Sequence, residues 1–207
     1  MDAIGGDLKV NFGYGKASIT SGGNADLELK YCTLRGGDFK DVKATTKYST
    51  MELGNVEVLQ SSSAYDAYRV QSATSVSNFG KYDDLQFGHV QSVTVNSKYT
   101  HLEVGELTHE ADLNFRHGGI KIKTLANGFS KIGITGDYTN VNISTEPSAQ
   151  FHFEAEGRHT SIKHSNVEAY YDVQSSGGTS EVRGYRGSKD AGGQIIAKMS
   201  YGTFRID

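Results

Sequence analysis

The 207-residue chain carries 25 glycines, 12 tyrosines, one proline, one cysteine and no tryptophan, and its 21 Lys+Arg against 24 Asp+Glu leave a net charge of −3. This near-balance gives no overall basic excess for nucleic-acid phosphates, and the single Cys32 rules out an intrachain disulfide scaffold. No apolar run reaches the roughly 18–20 residues of a membrane helix, while the length suffices to bury a core.

The first alternating segment, Leu8, Val10 and Phe12, leads into Tyr14, which starts a series. Tyr31, Tyr48, Tyr65, Tyr82 and Tyr99 follow at intervals of 17 residues. His117 comes after 18, Tyr138 and His159 after 21 each, and Thr179 and Tyr201 complete the frame at 20 and 22. Eight of the twelve tyrosines occupy this one slot, so tyrosine richness is a property of the repeat.

Within each unit, apolar residues stand three and five positions after the anchor: Met51/Leu53, Leu85/Phe87, Leu102/Val104, Ile120/Ile122, Val141/Ile143 and Phe204/Ile206. A third apolar position falls eight after it, at Phe39, Val56, Ala73, Val90, Leu107 and Leu125. Period-two alternation in short runs is the pattern of strands with one buried face, and no 3.6-residue stripe competes with it. Gly54, Gly88 and Gly105 stand where a corner with positive φ is expected. The anchors share the parity of the inward positions before them, which predicts an aromatic stack at the edge of the core. Gly80, Gly136 and Gly157, two before the anchor, would make room for it.

A unit of this length is too short for a propeller blade and lacks the helical half of a leucine-rich repeat. A β-sandwich of regular hairpins would not hold one residue type at one slot for six repeats. The expected fold is all-β: a single-stranded, right-handed parallel β-helix of about ten to eleven rungs, 17–22 residues each. It forms one domain over residues 1–207, regular to about residue 116 and with longer rungs over 117–207. Loops are expected at Ala126–Ser130, Thr145–Gln150 and Gly184–Gly193.

The anchors Tyr14, Tyr31, Tyr48, Tyr65, Tyr82, Tyr99, His117, Tyr138, His159 and Tyr201 are the structural repeat residues. Just before them recur Lys30, Lys47, Lys81, Lys98, Arg116 and Arg158. That row could attract an anionic glycan. The preferred reading is a solvated corner that resists edge pairing, offset by Asp66, Asp83 and Asp84. No catalytic or metal constellation is found. His117 and His159 substitute for tyrosine, and His152, His159 and His164 lack metal-binding spacing. Asp83 and Asp84 should point apart, and Cys32 reads as a small spacer at a corner. No cofactor is expected.

The units Lys47-Tyr48-Ser49-Thr50-Met51-Glu52-Leu53-Gly54-Asn55-Val56 and Lys98-Tyr99-Thr100-His101-Leu102-Glu103-Val104-Gly105-Glu106-Leu107 resemble the repeats of a Bacteroidetes adhesin family, a domain of unknown function with adhesin-like β-helix repeats. The resemblance runs from about Leu8 to Ile206. It implies an exported, periplasmic or surface-exposed β-helix whose partner is a protein or glycan at the cell envelope, and it supplies no catalytic residues. Met1–Gly6 has neither a basic nor an apolar leader segment, so the expectation is that an export signal and upstream rungs have been removed. The alternatives are a self-assembling solenoid stacking end to end, as bactofilins do, and a carbohydrate-active enzyme.

Overall fold

The computed structural model describes residues 6–174 and 178–207, so the leader question at the first five residues lies outside it. Every regular element among the described residues is a strand: β1 (Leu8–Gly22), β2 (Ala25–Lys47), β3 (Thr50–Ala64), β4 (Ala67–Lys81), β5 (Asp84–Lys98), β6 (His101–Leu125), β7 (Lys131–Thr145), β8 (Phe151–His164), β9 (Glu168–Gln174), β10 (Thr179–Arg186) and β11 (Gly193–Ile206). All belong to one continuous sheet that coils as a parallel β-solenoid.

Through β5 the register is the repeat itself. Leu8 lies beside Ala25, Met51 beside Tyr68 and Leu85 beside Leu102, each 17 residues on. Identical slots therefore stack into columns. The positions three, five and eight after the anchor fill the interior from Leu34 onward, with Met51, Leu85, Val90 and Leu107 fully buried. The register then slips to 18 in β6, where Ser92 faces Glu110, and to 21 in β7, where Glu110 faces Lys131.

Stacking does not continue in chain order. The C-terminal strand β11 lies between β7 and β8, parallel to both, with Gln194 beside Lys131 on one edge and His152 on the other. Residues 146–150 thus carry the chain across two rung heights, about 10 Å. β11 fills the gap with Ile195, Ala197, Met199, Phe204 and Ile206, all buried. Beyond β8, the β9–β10 hairpin pairs antiparallel and caps that end. Eight parallel pairings, hence about eight turns, replace the ten to eleven sequential rungs expected. Thr179 is no anchor, because it starts the antiparallel β10 opposite Arg158.

Loops occur at 126–130, 146–150 and 187–192, shorter than expected at the last because Gly184–Arg186 belong to β10 and Gly193 to β11, and they gather at one corner. The Phe129 and Phe151 rings meet at 5.8 Å, Gln194 N–H donates to the Ser130 carbonyl at 2.9 Å, and the Arg186 guanidinium donates to the Thr145 hydroxyl and the Pro147 carbonyl.

Gly54, Gly88 and Gly105 do not have positive φ. Their role is close approach: a Cβ on Gly88 would overlap the Gln71 carbonyl oxygen of the preceding rung, and one on Gly105 that of Gly88. The space over Gly80, Gly136 and Gly157 is likewise taken by core side chains, namely Asp83, Met199 and Thr160, and not by the anchor rings.

Candidate functional site: the aromatic corner and its polar lining

The corner that the glycines were expected to make is made by the anchors. All ten, from Tyr14 to Tyr201, have φ between 50° and 61°, the left-handed region. One left-handed residue reverses the in–out alternation of a strand. The ring, which by parity should enter the core, is turned to solvent, and the residue after it is turned in. The rings form a single stack in the order Tyr14, Tyr31, Tyr48, Tyr65, Tyr82, Tyr99, His117, Tyr138, Tyr201, His159, with centroids 4.6–5.2 Å apart and planes within 19° of parallel. A non-glycine residue in this region costs about 1–2 kcal/mol, and an aromatic pair returns about 0.5–1.5 kcal/mol. The two are of similar size, so stacking is what makes a bulky side chain tolerable there.

Both faces of each internal ring are covered by its neighbours, so stacking a sugar on a ring face is open only at the ends. Tyr14 at the first end is 77% exposed, against 39–51% for the other ladder tyrosines. Along the rest of the ladder only ring edges and hydroxyls meet solvent.

The turn also takes the next N–H out of the backbone ladder, and the sequence supplies a side chain for it. Cys32 N–H donates to Ser49 Oγ (3.3 Å), Ser49 N–H to Asp66 Oδ1 (2.6 Å), Asp66 N–H to Asp83 Oδ1 (2.9 Å) and Asp83 N–H to Thr100 Oγ1 (3.2 Å). Ser49, Asp66, Asp83 and Thr100 thus each cap the same position one rung earlier. This is why that slot holds small polar groups at these rungs; Cys32, one rung earlier in the same slot, is buried with a free thiol. The expected opposition of Asp83 and Asp84 is present, since Asp83 is buried and Asp84 reaches the surface.

Two carboxylates consequently sit inside the solenoid with no cation beside them among the described residues. Asp66 accepts from Thr46 Oγ1 (2.6 Å) and Ala64 N–H (2.8 Å) as well as Ser49. The Thr46 hydroxyl hydrogen is spent on Asp66, so the Tyr68 hydroxyl, 2.5 Å away, donates to Thr46. Asp83 accepts from Ser63 Oγ (2.8 Å), which in turn accepts from Asn78 Nδ2 (2.8 Å). Burial raises the Asp66 carboxyl above its ordinary range and pushes Asp83 up to about 6, partly resisted by the hydrogen bonds each accepts. Burial also raises the Tyr68 phenol.

The basic row lies exposed on the other side of the ladder. Lys30 and Lys47 hold their ammonium groups over the Tyr31 and Tyr48 rings, 5.9 and 5.3 Å from the centroids. Lys81, Lys98 and Arg116 are register neighbours on three successive rungs, and Arg116 reaches Asp137 at 3.7 Å. Asp66 and Asp83 are engaged inside and do not offset Lys81 or Lys98, whose ammonium groups form no ion pair among the described residues. Arg158 stands near the capped end beside Thr179. Some outer-face charges pair between rungs, as in Arg35–Glu52 at 2.8 Å and Lys123–Glu103 at 2.6 Å.

His152, His159 and His164 form no metal-binding group, and no cluster of three metal-ligating side chains occurs among the described residues. His159 is stacked on Tyr201, and His164 faces Asp172 at 3.5 Å. A cluster that the repeat analysis passed over lies on the cap. Tyr170 and Tyr171 are exposed there, Tyr185 donates to Glu168 at 2.6 Å, and Lys189 lies over the Tyr185 ring at 5.6 Å. Those three tyrosines are outside the repeat frame, which is the one sign of them in the sequence.

Comparison with protein-family models, with curated proteins and with solved structures gives no match to this chain.

Proposed function

We propose that the chain is a non-catalytic, adhesin-like β-solenoid of the cell envelope or secreted space, whose lysine row contacts an anionic glycan or acidic protein surface. The observation that carries this reading is the pairing state of the row. Lys81 and Lys98 are stacked like charges on adjacent rungs, exposed and without ion pairs among the described residues, whereas Arg35 and Lys123 pair with glutamates of a neighbouring rung. Like charges one rung apart, about 4.8 Å, repel, and a polyanion lying along the axis would relieve that repulsion. Against catalysis, the buried carboxylates are committed to capping backbone amides. The test is adhesion of cells displaying the chain to a surface coated with sulfated polysaccharide. Adhesion should exceed that of undecorated cells and fall to their level with Lys81→Gln/Lys98→Gln. Equal adhesion by the variant refutes the reading.

One observation favours self-association as a second reading. Among the described residues β1 pairs only with β2, and Leu8, Val10 and Phe12 are only partly covered, while the far end is closed by the antiparallel hairpin. Unlike ends favour head-to-head pairing of two copies through β1 over a head-to-tail filament. Light scattering over a concentration series should then saturate at a dimer, and continued growth would contradict it.

A further inference from the structure

On the side of the ladder away from the lysines runs an open groove of about 620 Å³. Tyr48, Tyr65, Tyr82 and Tyr99 line it, together with the row two residues further on, which includes Asp84 and His101. The ring steps here are 4.8, 4.6 and 4.7 Å, with planes 3–15° apart. The wall is therefore a nearly uniform row of four tyrosine edges about 14 Å long.

Such a wall has particular recognition properties. Repeating every rung, it offers no landmark along the axis by which a compact ligand could be held in one place. A rigid, flat, elongated molecule aligned with the axis touches all four edges at once and loses little internal freedom on binding. The ring faces are already used in the stack, so an aligned ligand lies flat across the row of ring edges and hydroxyl groups. The charge at the groove is set by Asp84, whose carboxylate accepts from Gln86 at 3.1 Å and has no ion-pair partner among the described residues. Among the described residues no lysine or arginine lines the groove.

We infer that this groove binds flat, elongated, cationic conjugated molecules lying along the solenoid axis, with the positive charge at Asp84. The site is distinct from the lysine row and selects the opposite charge. It stands whether or not that row is adhesive.

The probe is thioflavin T, a flat benzothiazole cation, titrated by fluorescence and calorimetry into the protein fraction shown by sedimentation to be free of aggregates. Saturable binding to one site per chain is expected. Asp84→Asn, which retains the acceptor for Gln86, should weaken it about two- to fivefold, the range for one exposed charge contact. Tyr65→Asn/Tyr82→Asn should abolish it, asparagine being chosen because it tolerates the left-handed conformation. Lys81→Gln/Lys98→Gln should leave it within about twofold. Absence of saturable binding overturns the inference. So does undiminished binding by folded Tyr65→Asn/Tyr82→Asn, a signal found only with sedimenting material, or full affinity in Asp84→Asn. If the double asparagine variant fails to fold, the Asp84→Asn and lysine variants decide alone.

Discussion

Replacing Asp83 by asparagine isolates the cost of a charge inside the solenoid. The amide oxygen still accepts from Asp66 N–H and the side-chain volume is unchanged, so the polar cap is kept while the charge is removed. The folded-state value of about 6 lies above the unfolded value of 3.8. The stability this group contributes is therefore fully present below pH 3.8, falls as the pH rises through 6, and is absent above it. A gap of this size corresponds to about 3 kcal/mol of penalty on the ionised wild type at pH 8. The assay is urea unfolding followed by far-ultraviolet circular dichroism at pH 4 to 8, plotted as variant minus wild type. That difference cancels remote groups such as Glu103, whose carboxyl is held low by Lys123. It should lie near zero at pH 4 and rise to favour Asp83→Asn by on the order of 2–3 kcal/mol at pH 8. A flat difference, or one favouring the wild type at high pH, would refute the assignment of Asp83 as a buried, uncompensated carboxylate.

Tyr65→Val puts a β-branched residue at φ 61° and removes two stacking contacts, so it should cost about 2–3 kcal/mol, whereas Tyr65→His should stay within about 1 kcal/mol; urea midpoints check both. Gly88→Ala drives a methyl group into the Gln71 carbonyl, an atom that moves only with its rung, and should cost about 1–3 kcal/mol by thermal unfolding. Deleting residues 193–207 strips five buried side chains and unpairs facing edges of β7 and β8. Hydrogen exchange should then lose protection over β7–β10 while β2–β5 retain theirs, because each rung leans chiefly on its neighbours.

The repeat made the solenoid legible. Parallel stacking converts a sequence period into a spatial column, so Phe39, Val56, Ala73 and Val90 could be placed in the core from spacing alone, and they are buried. The conformation of the anchor was hidden because tyrosine is an unusual left-handed residue and the glycines drew the corner to themselves. The small polar residues after it, Ser49, Asp66, Asp83, Thr100, Thr139 and Thr160, carried the missing information. They break alternation at the same place in each rung, which is the mark of a local reversal. The insertion of β11 could not be read at all. A slot pattern says that Tyr201 belongs to the ladder but not between which rings, since every rung offers the same column of partners. The free lysine pair was likewise obscured, because nearness in sequence suggested that Asp66 and Asp83 face it when both are turned inward.

The functional account rests on Lys81 and Lys98 acting as an unpaired cationic strip. Its most direct test is the salt dependence of binding to a sulfated polysaccharide, measured with purified wild-type protein and with Lys81→Gln/Lys98→Gln. The account predicts wild-type binding that weakens steadily with added salt, and a variant that binds more weakly with a shallower slope, by about one unit per removed cation. Identical slopes and affinities for the two proteins, or no wild-type binding even at low salt, would contradict it.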